Sequence, residues 1–235
     1  WIVGSSRSGL GGVITSSYEA IMNTRIASSV LALCVALPTF AAAEGLSVSA
    51  GATLTSRYLA SNVDQTSGAA FQPWIEAEIQ GFYFGAWASN TSAVITGSKT
   101  EVDLYVGYRN EVGQFNYDIG YARYFYRSPN VNCCGEIILS MGVAATDAVS
   151  LGVRFAHDPV ADVTNSSLTI DYAVNDKFGL SGRVGKLSNG TNDYWNVGGS
   201  YAINDNLAVS ASWNDSTARV DGLAVVSLDM SFNLR

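Results

Sequence analysis

The chain has 235 residues, enough for one large domain or two small ones, and its formal net charge is −7. So acidic a chain does not offer the basic face with which proteins bind nucleic acid, and no nucleic-acid partner is expected. Only 14% of the residues are charged, well below the roughly 25% typical of soluble domains, while 48% are hydrophobic and 23 are glycine. This balance argues against a cytosolic enzyme and favours a sheet with one apolar face turned toward lipid.

The first recognisable segment is an export signal. Met22–Arg25 is a short basic stretch, Ile26–Phe40 is apolar, and Ala41–Ala43 supplies the small residues that precede a signal-peptidase cut. The apolar stretch is too short to span a bilayer, which leaves a buried core helix as the alternative. Three regions are therefore predicted: an upstream leader with no role in the fold, a cleaved signal peptide and one mature domain, over residues 1–21, 22–43 and 44–235.

Beyond Glu44 the pattern is a period-two alternation of apolar and polar residues, which indicates β-strands rather than helices. The last segment shows it well, because Val226, Leu228 and Met230 alternate with Ser227 and Asp229. About twelve such segments occur, each close to the roughly 9–11 residues of a tilted membrane strand. They are predicted at residues 46–56, 71–80, 82–90, 100–109, 114–127, 136–145, 148–157, 164–173, 178–187, 192–202, 206–215 and 222–234.

The connections between these segments alternate between long and short, as they do in outer-membrane barrels, where extracellular loops are long and periplasmic turns are short. An open sheet edge in lipid would leave backbone groups unpaired at several kcal/mol each, so closure is expected. The predicted fold is all-β: a closed antiparallel transmembrane barrel of about twelve strands in the cell outer membrane, in contact with its lipid. Aromatic residues near strand ends fit interfacial girdles, although strand propensity explains them equally well: Trp74, Tyr126, Tyr172, Tyr194, Tyr201 and Trp213.

The mature chain contains five distinctive stretches: Leu54–Tyr58, Gln72–Ile75, Gly81–Asn90, Glu101–Tyr108 and Tyr117–Gly120. These stretches resemble the TorF family of proteobacterial porins. The resemblance implies an outer-membrane barrel of a Gram-negative bacterium, inserted by the barrel-insertion machinery, with a channel role for small solutes or ions. It carries no catalytic motif and no cofactor across to this chain, and it does not specify an oligomeric state.

Little in the sequence points to catalysis or metal binding. His157 is the one histidine of the chain, so a histidine-rich metal site is excluded, and a barrel hydrolase built around it is a remote alternative. Cys133 and Cys134 are adjacent, which lacks the spacing of a zinc site and leaves free thiols or a strained bridge in a loop. No enzyme, cofactor or metal is therefore predicted.

Charged residues on the polar face of the strands are the candidates for lining the lumen. The predicted set is Glu76, Glu78, Glu101, Asp103, Asp118, Arg154, Asp171, Arg183 and Asp229, and Arg235 is also expected to point inward. Because acidic groups dominate this set, a narrow channel with mild cation preference is predicted. The alternative is a non-conducting barrel that serves structure or surface interaction, in which these charges pair across a filled interior.

Overall fold

The computed structural model describes residues 45–126 and 134–235, which form fourteen strands and one short helix. The predicted leader and signal peptide lie outside the described residues. The elements, in chain order, are β1 (Leu46–Thr55), β2 (Leu59–Ala60), β3 (Val63–Asp64), β4 (Ala70–Ile79), β5 (Phe82–Asn90), α1 (Ala93–Thr96), β6 (Thr100–Val112), β7 (Phe115–Tyr126), β8 (Gly135–Ala144), β9 (Val149–Asp158), β10 (Val163–Ala173), β11 (Phe178–Leu187), β12 (Asp193–Asn204), β13 (Leu207–Ser216) and β14 (Leu223–Asn233).

Twelve of the described strands close into one antiparallel barrel, as the sequence predicts. Each strand pairs with the next along the chain, β4 pairs with β1, and β14 returns to pair with β1. At this seam, Thr53 lies opposite Asp229 and Thr55 opposite Ser227. Every barrel strand is therefore hydrogen-bonded to a neighbouring strand on both sides, as a sheet in lipid requires.

The connections alternate as predicted. At one end of the barrel the strands join through short turns, such as Gln80–Gly81 between β4 and β5. Gln80 has a φ of 52° and Gly81 a φ of 84°, the positive values that a two-residue hairpin turn needs. At the other end lie the longer connections, including residues 56–69 and 91–99. We call this end the mouth.

Alternation along each strand separates an apolar outside from a polar inside. On β6, Leu104 is 51% exposed and Val106 is 55% exposed, whereas Glu101 is fully buried and Asp103 is nearly so. Residues that pair across neighbouring strands face the same side of the sheet. Ala86 on β5 pairs with Leu104 and therefore also faces outward. Exposed apolar side chains recur on the outward positions of the other barrel strands, which gives the barrel an apolar outer surface.

Two features of the fold go beyond the predicted elements. Strands β2 and β3 form a small hairpin within the first long connection, and we call residues 57–66 the mouth hairpin. The short helix α1 lies in the next long connection. Within the described ranges, no helix is long and apolar enough to cross a bilayer.

The girdle prediction is wrong for three of its six aromatic residues. Tyr172, Tyr201 and Trp213 are exposed on the outer surface, but Tyr126 and Tyr194 are buried inside the barrel. Trp74 also points inward, since it shares the parity of its strand neighbour Glu76 and its ring covers the inward-facing Gly51. The physical reason is strand parity, which places a residue on one face whatever its distance from the strand end.

Candidate functional site

The tip of the mouth hairpin reaches across the barrel and is fixed to the opposite wall. Asn62 donates from Nδ2 to the carbonyl oxygens of Trp195 (2.6 Å) and Asp215 (3.0 Å), on β12 and β13. Asn192 Nδ2 donates to the carbonyl of Ser61 at 2.8 Å, and Asn165 on β10 donates to the Ser61 hydroxyl at 2.9 Å. The hairpin thus spans the lumen at the mouth, although the sequence predicts only an outer loop.

The tip has the backbone of a tight turn. Ser61 has a φ of 48° and Asn62 a φ of 59°, so both central residues occupy the left-handed region. A two-residue hairpin with this geometry matches the twist of its strands, and asparagine adopts it more readily than most residues. The turn therefore holds the Asn62 amide toward β12 and β13.

The base of the hairpin is held on the other side of the mouth. The Tyr58 hydroxyl donates to Glu101 Oε2 at 3.0 Å, and Tyr126 donates to Oε1 of the same carboxylate at 2.9 Å. Burial, and after it the Glu101 carboxylate, raises the pKa of Tyr58 well above its usual value, so its hydroxyl stays protonated and donates. Asp64 within the hairpin forms an ion pair with Arg219 at 2.5 Å.

A second cluster lies nearer the short-turn end of the same wall. Arg109 donates from Nη2 to Glu76 Oε1 at 2.6 Å, and its Nε lies 3.5 Å from Glu78 Oε2. The guanidinium carbon lies 3.9 Å from the centre of the Tyr83 ring. Tyr83 in turn donates to Asp118 at 2.6 Å. Three of the predicted carboxylates are therefore held in one network with an arginine.

Aromatic rings fill this side of the lumen. Tyr83 on β5 lies so close to Gly107 and Gly120, on β6 and β7, that a Cβ on either would contact its hydroxyl oxygen. Tyr105 covers Gly85 in the same way. Together with the buried Tyr124, which donates to Glu136 at 2.6 Å, these rings leave little open space along β4–β7.

The opposite wall, formed by β8–β13, is lined mainly by small residues. Its inward positions include Ser140, Gly142, Ser150, Gly152, Ser167, Thr169, Ser181, Gly198, Ser210 and Ser212. Arg154, Arg183 and Asp171 rise from this wall and are all half-buried. Open space in the lumen is therefore expected along β8–β13 rather than along β4–β7.

The nine predicted lumen residues fall into separate groups. Glu76, Glu78, Glu101 and Asp118 belong to the two networks on the wall formed by β4–β7, which we call the filled wall, and Asp103 lies buried on the same wall. Those on β9–β11 lie on the wall of small residues formed by β8–β13, which we call the open wall. Asp229 stands apart at the seam, where it accepts a 2.6 Å hydrogen bond from Thr53. Arg235 follows the end of β14 and is exposed.

The charged residues on inward positions that the sequence reasoning missed include Arg109, Glu136 and Asp158. Arg109 shares the parity of Glu101 and Asp103, so the same alternation was enough to find it. Its pairing with Glu76 crosses from β6 to β4 and skips β5. The sequence alone gives no sign of such a contact between strands that are not neighbours.

Three observations on the described residues concern metal and nucleophile chemistry. No group of three or more histidine, cysteine, aspartate or glutamate side chains there could hold a metal ion. His157 lies on the outward face of β9, with Nδ1 3.1 Å from the Thr164 hydroxyl of β10. Cys134 is disulfide-bonded, and Cys133 lies outside the described residues.

Solved barrels of similar fold include two structures of KdgM porin. One has a TM-score of 0.62 at 14% identity, covering 78% of this chain and 99% of that chain. The other, described as KdgM porin in complex with disordered oligogalacturonate, has a TM-score of 0.57 at 13% identity, covering 79% and 99%. A NanC porin has a TM-score of 0.49 at 12% identity, covering 81% and 99%. At these identities the likeness concerns the fold.

The sequence itself matches a family more directly than it matches any one protein. No curated protein matches the chain. A family model described as "Bacterial protein of unknown function (Gcw_chp)" matches residues 40–228, which is most of the chain, and its description does not name the TorF family. The chain therefore belongs to the Gcw_chp family of bacterial proteins, whose function its description leaves unassigned.

Proposed function

We propose that this protein is an outer-membrane barrel that forms a narrow channel for the passive diffusion of small solutes or ions, with a mild preference for cations. The observation that carries the proposal is the lumen itself. The polar interior is crossed at its mouth by an anchored hairpin and has a wall of small serine, threonine and glycine residues along β8–β13, where we infer that the lumen is open.

The outer surface supports a membrane location. Apolar side chains such as Ile119 (52% exposed) and Val184 (55% exposed) face outward on strands far apart in the barrel. Soluble monomers rarely expose apolar patches of more than a few hundred Å², so a band that continues around a barrel suits lipid. Export through the predicted signal peptide, with Glu44 near the mature N-terminus, forms part of the same proposal.

The narrowness of the channel follows from the filled wall and the hairpin. Barrels of about eight strands have interiors filled by side chains, whereas those of 16–18 strands hold an aqueous channel. This barrel of twelve strands lies between these two sizes, and the aromatic rings along β4–β7 occupy part of the cross-section of its lumen. We infer that only small solutes pass. KdgM porin has a similar fold and has been solved with oligogalacturonate, so acidic sugars are among the solutes to test.

The cation preference rests on the surplus of carboxylates inside. Glu136 and Asp158 add to the predicted acidic residues at inward positions, while Arg109 adds to the basic ones. The lumen stays negative after these additions, and a negative interior raises the local concentration of cations. Pairing of Arg109 with Glu76 and Glu78 weakens the effect of those two carboxylates, which keeps the preference mild.

A non-conducting barrel is the second candidate, and one observation favours it. The mouth hairpin is hydrogen-bonded to β10, β12 and β13 as well as to Glu101, so it crosses most of the opening. If the hairpin seals the mouth, the protein has a structural role or interacts with other molecules through its outer loops. The two candidates differ in one measurable quantity, the conductance of the folded barrel.

Planar-bilayer recording of the purified barrel tests the proposal. Stepwise current increases on insertion, with a reversal potential of the cation-selective sign in a salt gradient, are expected. A variant in which residues 58–66 are replaced by a short Gly-Ser linker removes the hairpin and should conduct more. A matched control carries the same linker in place of residues 159–162, a mouth loop between β9 and β10 that, among the described residues, has no contact with the hairpin. If the wild type never conducts while the hairpin deletion does, the barrel is sealed and the second candidate holds.

A further inference from the structure

Two arginines in the lumen differ from the others in having no acidic partner in contact. Arg57, Arg109 and Arg219 each form an ion pair with a carboxylate. Arg154 and Arg183 form neither a hydrogen bond nor an ion pair with any residue of the ranges 45–126 and 134–235. Both are half-buried on inward positions of the open wall. Unpaired charges are costly to hold inside a protein unless water or a ligand solvates them.

The register places these two arginines on either side of one strand. Arg154 on β9 pairs with Ser167 of β10, and Arg183 on β11 pairs with Thr169, two residues further along β10. Two strand spacings across and two residues along put their Cα atoms roughly 12 Å apart. Long arginine side chains can therefore approach one ligand from both sides.

The acidic groups near the pair do not neutralise it. Asp171 lies on β10 two residues beyond Thr169 and interacts electrostatically with Arg183. Glu136 on β8 interacts in the same way with Arg154, but its carboxylate is held by the Tyr124 hydroxyl at 2.6 Å. Neither carboxylate lies within ion-pair distance of an arginine. Both guanidinium groups therefore keep their donors for another acceptor.

Neutral polar groups and small side chains surround the pair. Ser167 and Thr169 lie between the arginines on β10, and Asn196 pairs with Arg183 across β11 and β12. Gly152 opposes Thr169 from β9, and the Thr169 hydroxyl lies over it on the lumen side. Hydroxyl and amide groups of this kind hydrogen-bond readily to the hydroxyls of a sugar.

We propose that Arg154 and Arg183 form a subsite that binds the carboxylate of a small organic anion, such as an acidic sugar, on its way through the barrel. Guanidinium groups bind carboxylates through paired, charge-assisted hydrogen bonds, which gives the subsite its selectivity for this chemistry over neutral solutes. The subsite lies on the open wall, facing the carboxylates of β4–β7 across the lumen. It is compatible with a mild cation preference for simple salts, because it concerns one local position in a lumen that is negative as a whole.

This inference rests on the proposed channel function, so its test needs a readout that does not depend on conduction. The probes are glucuronate and its neutral counterpart glucose. Binding of each to the barrel in detergent micelles is measured by saturation-transfer NMR, and block of the ion current by each is measured in planar bilayers. We expect glucuronate to bind and to block the current, and glucose to do neither at the same concentrations.

The double variant Arg154→Gln/Arg183→Gln should weaken glucuronate binding at least about tenfold, because it removes the charge-assisted hydrogen bonds. Lys186→Gln is the matched control, since it removes a positive charge from the outward face of β11 and should leave binding unchanged. Arg154→Lys/Arg183→Lys keeps the charge and should bind at an intermediate strength. The heat-modifiable migration of the folded barrel on gels verifies that each variant is folded.

The outcomes separate the subsite from the channel. Conduction without any difference between glucuronate and glucose would overturn the subsite and leave the channel intact. Selective binding of glucuronate in micelles by a barrel that never conducts would remove the channel and keep the subsite. If the double variant fails to fold, the two single variants take its place, and equal binding by both and by the wild type would overturn the proposal.

Discussion

Detaching the tip of the mouth hairpin should open the lumen, and Asn62→Gly is the change that isolates this effect. Glycine tolerates the φ of 59° at this position, so the turn is kept while the side-chain amide is lost. The lost hydrogen bonds are those to the carbonyls of Trp195 and Asp215. The variant thus tests the anchor and leaves the hairpin backbone in place.

The expected size of the effect follows from those two hydrogen bonds. At about 0.5–1.5 kcal/mol each, their loss favours the detached hairpin by about 1–3 kcal/mol. Since each 1.4 kcal/mol is a factor of ten, the ratio of detached to attached hairpin should rise roughly 5- to 150-fold. The other anchors, from Asn192 and Asn165 to Ser61, remain and oppose detachment.

Single-channel recording measures this ratio as the fraction of time spent in a state of higher conductance. Asn206→Gly is the matched control, because Asn206 donates a 2.7 Å hydrogen bond to the Ser231 carbonyl at the short-turn end, far from the hairpin. The control should leave the conductance states unchanged. An Asn62→Gly channel with the same conductance and state occupancy as the wild type would refute the idea that the hairpin limits the opening.

Three further predictions concern the barrel surface, the lumen charge and the packing of the filled wall. Val153→Lys places a charge on the outer face of β9 and should destabilise the barrel by about 2–4 kcal/mol in lipid if it lies near the midplane, whereas the inward Ser150→Lys should cost much less; urea unfolding in vesicles measures both. Glu101→Gln with Asp103→Asn should move the reversal potential toward zero, more at low salt than at high salt because the Debye length is about 10 Å at 0.1 M; an unchanged potential would assign selectivity to other groups. Gly107→Ala drives a methyl group into Tyr83 and the Ile119 carbonyl and should lower the free energy of unfolding by about 1–3 kcal/mol, while Gly68→Ala, with open space around it, should not.

The strands were predictable because lipid outside and water inside impose the same alternation on every one of them. All twelve barrel strands begin and end within three residues of the predicted positions. Parity was also enough to place residues such as Asp118 and Arg154, which follow the alternation of their strands. Periodicity therefore predicted the architecture.

The contents of the lumen were not predictable in the same way. A pattern along one strand says which side a residue faces but not what meets it there, so the pairing of Arg109 with Glu76 escaped it. The mouth hairpin has no alternation long enough to mark it, because β2 and β3 contain two residues each. The position of the hairpin depends on hydrogen bonds from Asn62 to carbonyl groups more than 130 residues away in the chain, such as that of Trp195.

The seam between β1 and β14 has a consequence for the order of assembly. Eleven of the twelve strand pairs join neighbours in sequence and can form as local hairpins, but the Thr53–Asp229 contact closes a loop of 176 residues. Contacts of such high sequence separation form late, since the entropy of closing the loop must be overcome first. The hairpin at residues 57–66 contacts β10, β12 and β13, so it also finds its partners only when the C-terminal half is in place. Pairing of β14 with β1 and docking of this hairpin should therefore occur together in a single late step. A folding intermediate that has not reached this step would expose two unpaired strand edges at once.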